Sequence, residues 1–236
     1  MTDVVIVPRN VAEAALWRMT IEVAELFAGF PWVIVGAQMV LLLEFERGQA
    51  SGRATLDLDA IVDARAVAGA TRLAAEQLIR AGFSASIERP YRFKRDEGVV
   101  DLLAPDHLGR RADLTTIPPH STTAIPGGTR ALSTRRLVDV DVTGVGSGSL
   151  PLPTLAGAIV LKTASYESRR ERRDLEDLVR LLALVEDVEA VRRALEPAER
   201  RRLGAVMALR DQDHRAWLIA ADREDARAAF DRLADD

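Results

Sequence analysis

The sequence contains no cysteine and only three histidines among its 236 residues. Disulfide bonds, thiolate catalysis and cysteine-based zinc sites are therefore excluded, and the scattered histidines argue against a histidine-rich metal site. The net charge of −4 gives no overall basic field, so a nucleic-acid partner would need a local patch. No apolar run is long enough to span a bilayer, and the first residues lack the basic-then-apolar layout of a secretion signal. We therefore expect a cytoplasmic protein with no membrane partner.

Lysine is also scarce, because 30 of the 32 basic residues are arginine and only Lys94 and Lys162 are lysine. Lys162 lies in an apolar segment that the capping signal Pro153-Thr154 predicts to be a helix. A compact ammonium in such a helix indicates a group aimed at phosphate oxygens or at a metal-bound carboxylate cluster. The alternative is a lysine whose aliphatic stem covers apolar surface. Lys94, near a predicted turn, is expected to be an ordinary surface residue.

Two carboxylates interrupt an otherwise apolar strand pattern, at Asp57 and Asp59. Residues two apart in a strand point to the same side, so both carboxylates share one face while Leu56, Leu58 and Ala60 point to a core. Adjacent anions need a counter-charge. A divalent cation such as Mg²⁺ suits carboxylate oxygens and also binds substrate phosphates.

A second part of the candidate site lies before the aspartate pair in the sequence. The apolar strand pattern at 31–35 runs into Gly36-Ala37 and then into a helical pattern at 37–47. Unpaired N–H groups and the helix dipole favour an anion at such a helix start, and Gly36 lets a phosphate approach the backbone. A phosphate site beside a metal site indicates phosphoryl or nucleotidyl transfer. Neither half is specific alone, and it is their order and spacing that favour this function.

A third carboxylate is expected beside the first pair. The segments 91–94 and 99–103 flank the turn signal 95–98 and predict a hairpin whose second strand carries Asp101. Next to the first two aspartates, Asp101 would complete a two-metal site. A second Asp-x-Asp pair in the strand pattern at 136–142 lacks a preceding glycine turn and helix, so we expect that pair to lie on a solvated face.

The pattern along the chain predicts a mixed α/β part followed by helices, and 48% hydrophobic content suffices for one large or two small cores. The predicted helices of the first part are 10–29, 37–47 and 64–81, and the predicted strands are 31–35, 56–62, 83–88, 91–94, 99–103 and 136–142. The segment 104–129 is expected to be rich in loops. The glycine- and serine-rich segment 144–149 is predicted to be a linker between an α/β domain, 1–145, and a helical domain, 151–236.

In the helical part, Asp174 and Asp177 are three residues apart and share a helix face. Because they follow Lys162 by one helix, we expect the lysine to meet one of these carboxylates at the cleft between the domains. The arginine-rich run 169–173 is either a solvated helix start or a contact for a nucleic-acid backbone. Both interpretations stay open.

These motifs together carry a resemblance to a known superfamily. Val-Gly-Ala-Gln-Met at 35–39, Arg-x-Thr-x-Asp-x-Asp at 53–59 and the strand aspartate at 101 resemble the nucleotidyltransferase superfold that includes DNA polymerase beta and kanamycin nucleotidyltransferase. A lysine and an arginine at 162 and 169, followed by Arg-Asp-x-x-Asp-Leu at 173–178, look like the AbiEii-like toxins of bacterial toxin–antitoxin systems. The resemblance covers most of residues 30 to 180.

The resemblance implies an α+β fold, with a nucleotidyltransferase-type mixed sheet, flanking helices and a C-terminal helical domain that completes the active-site cleft. It implies transfer of a nucleoside monophosphate from an NTP to an acceptor hydroxyl of RNA, such as a tRNA end, with Mg²⁺ or Mn²⁺ as cofactor and a cognate antitoxin as protein partner. The implied site residues are Gly36, Ala37, Arg53 and Thr55 for the nucleotide, Asp57, Asp59 and Asp101 for metal and catalysis, and Lys162 and Asp177 as the remaining catalytic residues.

Three other functions remain open. A transferase that modifies a small molecule, such as an antibiotic, predicts an acidic acceptor pocket where an RNA enzyme would have an arginine-lined groove. A non-catalytic nucleotide-binding module is compatible with Ala37, because the family's turn usually has Gly-Gly or Gly-Ser. A purely structural protein would leave the clustered Asp57, Asp59 and Asp101 unexplained.

Overall fold

A computed structural model describes residues 4–49, 55–109 and 112–234, which form a mixed α+β fold with nine strands and ten α-helices in these ranges. The strands are β1 (Val4–Ile6), β2 (Trp32–Val35), β3 (Asp57–Val62), β4 (Ser84–Ala85), β5 (Arg92–Arg95), β6 (Gly98–Pro105), β7 (Ala124–Ile125), β8 (Arg135–Val142) and β9 (Gly146–Pro153). The helices are α1 (Val11–Leu26), α2 (Gly36–Phe45), α3 (Ala70–Arg80), α4 (Gly128–Ser133), α5 (Leu155–Arg169), α6 (Arg172–Ala183), α7 (Val188–Ala194), α8 (Pro197–Gly204), α9 (Met207–Arg210) and α10 (Arg223–Ala234), with a 3₁₀ helix at Arg215–Ile219.

The larger sheet is mixed and carries the strands that matter for function. Its strand order is β2-β3-β6-β5-β4, and the short β7 pairs with β6. Strands β3 and β6 are parallel, whereas β2 is antiparallel to β3 and β5 is antiparallel to β6. The predicted hairpin is confirmed as β5 and β6, and Asp101 lies on the strand next to the Asp57 and Asp59 strand, as expected.

Strand β2 and helix α2 are buried along almost their whole length. All four residues of β2 are buried, as is typical of a strand covered on both faces. Helix α2 follows directly and is buried from Gln38 to Glu44, packed between β3 and α6. On β3 the residues Leu58 and Ala60 are buried as predicted, but Leu56 lies just before the strand and is half exposed.

The predicted linker is wrong. Gly144 turns the chain with φ of 74°, and residues Gly146–Pro153 return as β9, which pairs with β8 along its whole length in the small sheet β1-β8-β9. Gly148 packs closely against helix α1, because a Cβ atom there would lie 3.1 Å from Cγ2 of Ile21. The segment is therefore a turn followed by a paired strand, and not a flexible spacer. The division of the chain into two domains here stays a prediction.

Two other elements are shorter than predicted. The helix expected at 64–81 begins only at Ala70, because the Asp63 carboxylate accepts the Arg65 N–H in a local turn and Gly69 adopts a left-handed conformation with φ of 67°. The strand expected at 83–88 is limited to the two residues of β4, and the side chain of Ile87 after it is exposed.

The remainder of the described chain, from Leu155 onward, is helical, as predicted. Within the three described ranges, no helix is both long and apolar enough to cross a membrane. The second Asp-x-Asp pair also lies where it was expected, because Asp141 is exposed and Asp139 is half-buried on the outer face of β8, while Val138 and Val140 point inward.

Candidate active site

A cleft of about 310 Å³ opens where β2, β3 and β6 of the large sheet face helix α5. Gly36, Asp59 and Asp101 lie on the sheet side of the cleft, and Lys162 and Arg169 of α5 lie on the opposite side. The other residues that line the cleft are Val35, Tyr91, Leu103, Thr123, Ala124, Ile125, Pro126, Leu161, Ser165 and Ser168. Charged groups predicted from three separate parts of the sequence therefore meet in one space.

Three charged side chains lie in a row across adjacent strands. Asp59 of β3 is directly opposite Asp101 of β6, and Asp101 is directly opposite Arg92 of β5. Arg92 forms a two-pronged interaction with Asp101, in which Nε donates to Oδ1 and Nη2 donates to Oδ2, both at 2.7 Å. Such a fork is the strongest geometry for an arginine–carboxylate pair. Both oxygens of Asp101 are thereby engaged.

Asp57 shares the face of Asp59 and is the more open of the two, with 42% of its side chain exposed. Its Oδ2 lies 3.4 Å from Nη2 of Arg92. Thr55 lies just before the strand, where its Oγ1 accepts the Asp57 N–H at 3.3 Å, so it organises the start of β3 and does not line the cleft. Ala37 does not line the cleft either, and Arg53 lies outside the described residues.

Gly36 is the first residue of α2 and the closest neighbour of the Asp59 carboxylate. Its φ of 70° is in the left-handed region, and a Cβ atom there would lie 1.8 Å from Oδ2 of Asp59. Only glycine satisfies both conditions. The predicted succession of strand, small-residue turn and helix start is confirmed, and its glycine lies against the Asp59 carboxylate.

Lys162 is buried opposite the sheet and is fixed by two carboxylates of α6. Its Nζ donates to Oδ2 of Asp177 at 2.6 Å and lies 3.7 Å from Oδ1 of Asp174, and only 6% of the lysine side chain is exposed. Asp174 is also held by Arg169, whose Nη2 donates to its Oδ1 at 2.9 Å. The predicted meeting of the lysine with a carboxylate is confirmed. The ammonium is therefore held in place and does not extend along the surface.

The electrostatic environment of Asp59 is unfavourable for a bare carboxylate. Burial, followed by the neighbouring charges of Asp101 and Asp57, raises the pKa of Asp59 to about 6, even though Lys162 and Arg92 act in the opposite direction. The nearby cations therefore do not compensate fully for desolvation and for the two other anions. A cation bound beside Asp59 would supply what is missing.

A divalent ion fits part of the predicted ligand set. Carboxylates of Asp57 and Asp59 on one strand face are suitable oxygen donors. Asp101 is less suitable, because both of its oxygens are held by Arg92. In the described part of the chain, no group of three or more histidine, cysteine, aspartate or glutamate side chains is arranged to hold a metal. Asp57 and Asp59 would therefore hold the ion, with phosphate and water completing its coordination.

The sequence patterns pointed to neither Arg92 nor Tyr91 as part of the site. A signal for Arg92 was present, because pairing the two predicted hairpin strands around their turn places Arg92 opposite Asp101. No sequence pattern indicated that residues Thr123 to Pro126 line the cleft. They reach it because the two-residue strand β7 pairs with β6.

A second cavity of about 160 Å³ lies at the C-terminal end of helix α5 and is lined by several basic groups. Its lining includes Tyr166, Arg170, Arg172, His214 and Arg215. The guanidinium of Arg170 lies 5.6 Å from the centre of the Tyr166 ring, and Arg172 is paired with Glu176. Tyr166 of α5 and Arg170, which caps the end of α5, are each next in sequence to the cleft-lining residues Ser165 and Arg169.

No protein-family model matches this sequence, and no curated protein matches it. The arrangement of the cleft is therefore the main basis for assigning a function.

Proposed function

We propose that this chain is a metal-dependent nucleotidyltransferase with a nucleotidyltransferase-type fold. It would move a nucleoside monophosphate from an NTP to an acceptor hydroxyl and release pyrophosphate. One observation carries the proposal. Asp59 lies beside the glycine start of helix α2 and lines one cleft together with Lys162, which is fixed by Asp177, while Asp57 leaves β3 on the same face as Asp59.

The residues divide into three roles. The start of α2 at Gly36 would receive phosphate oxygens at its unpaired N–H groups. Asp57 and Asp59 would hold Mg²⁺ or Mn²⁺, which would neutralise the triphosphate and polarise its α-phosphate. Lys162, oriented by Asp177, would stabilise the charge that develops on the phosphoryl oxygens. Catalysis of this kind consists mainly of positioning and electrostatic stabilisation.

The proposed step is an in-line displacement. The acceptor oxygen bonds to the α-phosphorus while the bond from that phosphorus to the bridging oxygen breaks. The bridging oxygen keeps the electron pair and leaves as part of pyrophosphate, and the hydroxyl proton passes to the cleft carboxylates. Asp57 is well placed for contact with an incoming acceptor, because 42% of its side chain is exposed, compared with 8% for Asp101.

The second cavity supports RNA as the acceptor and argues against a small cationic one. A cationic antibiotic would need an acidic acceptor pocket, but the space next to the cleft presents Arg170, Arg172 and Arg215 together with Tyr166. Arginines can bind phosphates, and a tyrosine ring can stack on a base. The motif resemblance further suggests a toxin of a bacterial toxin–antitoxin system, with a tRNA end as acceptor and an antitoxin protein as partner.

The test is a transfer assay with each of the four α-³²P-labelled NTPs and total RNA, with and without Mg²⁺. We expect label on RNA with at least one NTP, only when the metal is present. Asp57→Asn should lower the rate by at least about a thousandfold, roughly 4 kcal/mol. The matched control is the double change Asp139→Asn with Asp141→Asn, an identical motif on the solvated face of β8, which should stay within about tenfold of normal.

Three outcomes would contradict the proposal. No transfer of any label would favour a binding module, and label on a small molecule alone would favour the antibiotic-type enzyme. Near-normal transfer by a folded Asp57→Asn protein, or its loss in the control, would mean that the active site lies on another strand.

A further inference from the structure

Arg92 engages both carboxylate oxygens of Asp101, the third carboxylate that a two-ion site would need as a ligand. A two-ion site needs free oxygens on the carboxylate that bridges or completes it. Here both Asp101 oxygens accept hydrogen bonds from one guanidinium at 2.7 Å, and the same Nη2 lies 3.4 Å from Asp57. The arginine thus contacts two of the three carboxylates that a two-ion site would use.

The pairing of Arg92 with Asp101 is fixed by the register of the sheet. Arg92 and Asp101 are direct cross-strand partners on β5 and β6, so their side chains leave the sheet on the same face. Only 8% of the Asp101 side chain and 20% of the Arg92 side chain are exposed. Breaking a buried pair of this kind leaves an uncompensated charge on each partner, which is strongly unfavourable.

The charges of Asp57, Asp59, Asp101 and Arg92 also match a single divalent ion. Asp57, Asp59 and Asp101 carry three negative charges, and Arg92 contributes one positive charge, so two negative charges remain. Lys162 and Arg169 are left out of this sum because they pair with Asp177 and Asp174, so these four charges cancel among themselves. One divalent cation would neutralise the two remaining negative charges, whereas a second would leave a net positive charge.

We propose that Arg92 takes the place of the second cation, so that the cleft binds one divalent ion at Asp57 and Asp59. Arg92 is a positioning residue in this scheme, since it acts by holding Asp101 and by directing positive charge toward Asp57. The inference rests on the proposed function, because it assumes that a metal–nucleotide complex enters this cleft.

The number of bound ions tests the inference directly. The full chain is titrated with Mn²⁺ in the presence of the α,β-methylene analogue of each NTP in turn, and bound Mn²⁺ per chain is counted by electron paramagnetic resonance. We expect one ion in the wild-type protein and one in Arg92→Lys, which keeps the positive charge. Arg92→Met should bind two, because Asp101 then becomes a free ligand.

Arg95→Met is the matched control. Arg95 lies on the same strand and forms a similar two-pronged pair, but with Glu22 of α1 and outside the cleft, so this variant should bind one ion like the wild type. Circular dichroism and thermal unfolding establish that each variant is folded.

The possible results separate this inference from the proposed function. Two ions in the wild-type protein would overturn the inference and leave the nucleotidyltransferase assignment intact. No ion with any analogue would overturn both. One ion in a folded Arg92→Met protein would show that Arg92 does not exclude the second ion. If Arg92→Met does not fold, the wild-type count still decides between one ion and two.

Discussion

Replacing Asp59 by asparagine should stabilise the metal-free protein at neutral pH. Asp59 is the carboxylate beside Gly36 and directly opposite Asp101. Burial and the charges of Asp101 and Asp57 raise its pKa from the usual 3.8 to about 6. Asparagine has nearly the same shape and carries no charge, so it removes the repulsion and the desolvation cost while keeping the side-chain packing.

The sign and the magnitude follow from proton linkage. The folded protein binds a proton at Asp59 more tightly than the unfolded chain, so this group's contribution to stability is fully present below pH 3.8 and is lost as pH rises through about 6. The full shift corresponds to about 3 kcal/mol. Because Asp59 lines an open cleft, solvent screens part of it, and we expect Asp59→Asn to be more stable than the wild type by about 1 to 3 kcal/mol at pH 8.

Urea unfolding at a series of pH values between 4 and 8, with EDTA present, measures the difference. The advantage of Asp59→Asn should be small near pH 4 and should grow as pH rises through about 6. Millimolar Mg²⁺ at pH 8 should stabilise the wild type and not the variant, because ligand binding to the folded state raises its stability. Asp139→Asn, a half-buried aspartate of the second Asp-x-Asp pair on β8, should stay within about 0.5 kcal/mol of wild type at every pH. A folded Asp59→Asn protein that is less stable than wild type at pH 8 without metal would refute this reasoning.

Two further predictions concern the groups that flank Asp59. In the transfer assay, Lys162→Arg should lose at least about tenfold in rate, because a planar guanidinium cannot replace the buried ammonium at 2.6 Å from Asp177, while Lys94→Arg, at the chain's other lysine, should be normal. In urea unfolding, Gly36→Ala should cost about 2 kcal/mol or more from its left-handed φ and its clash with Asp59, and that cost should be smaller in an Asp59→Ala background. Full activity of Lys162→Arg, or equal costs of Gly36→Ala in the two backgrounds, would contradict these assignments.

Local patterns were sufficient to predict most of the charged groups of the cleft. Alternation along β3 placed Asp57 and Asp59 on one face, and the hairpin signal placed Asp101 on a neighbouring strand. The three-residue spacing of Asp174 and Asp177 predicted a shared helix face that Lys162 reaches. Each of these predictions depends on residues close in sequence, for which backbone periodicity fixes direction.

The errors have a different origin. The segment 144–149 is rich in glycine and serine, which is typical of linkers, but here the small residues allow strand β9 to lie against helix α1. The early part of the predicted helix 64–81 is prevented by a side-chain turn at Asp63 and by the left-handed Gly69. Both outcomes depend on tertiary contacts or on competition between local hydrogen bonds, and composition does not reveal either.

The two cations Arg92 and Lys162 differ in shape in a way that matches the carboxylates they meet. Arg92 meets Asp101, a single carboxylate on the next strand, and a planar fork satisfies both of its oxygens. Lys162 lies between Asp174 and Asp177 on one helix, where two separate carboxylates converge on one small volume and a compact charge fits better than a fork.

Asp101, Asp174 and Asp177 are thus each matched by a cation in the folded chain. Asp59 is not matched, since its pKa remains raised despite both cations, and Asp57 has only the longer contact to Arg92. Asp57 and Asp59 share one strand face, and Asp59 is the one beside Gly36, so a metal–triphosphate complex would bring a cation to these carboxylates and phosphates to the helix start in a single binding event.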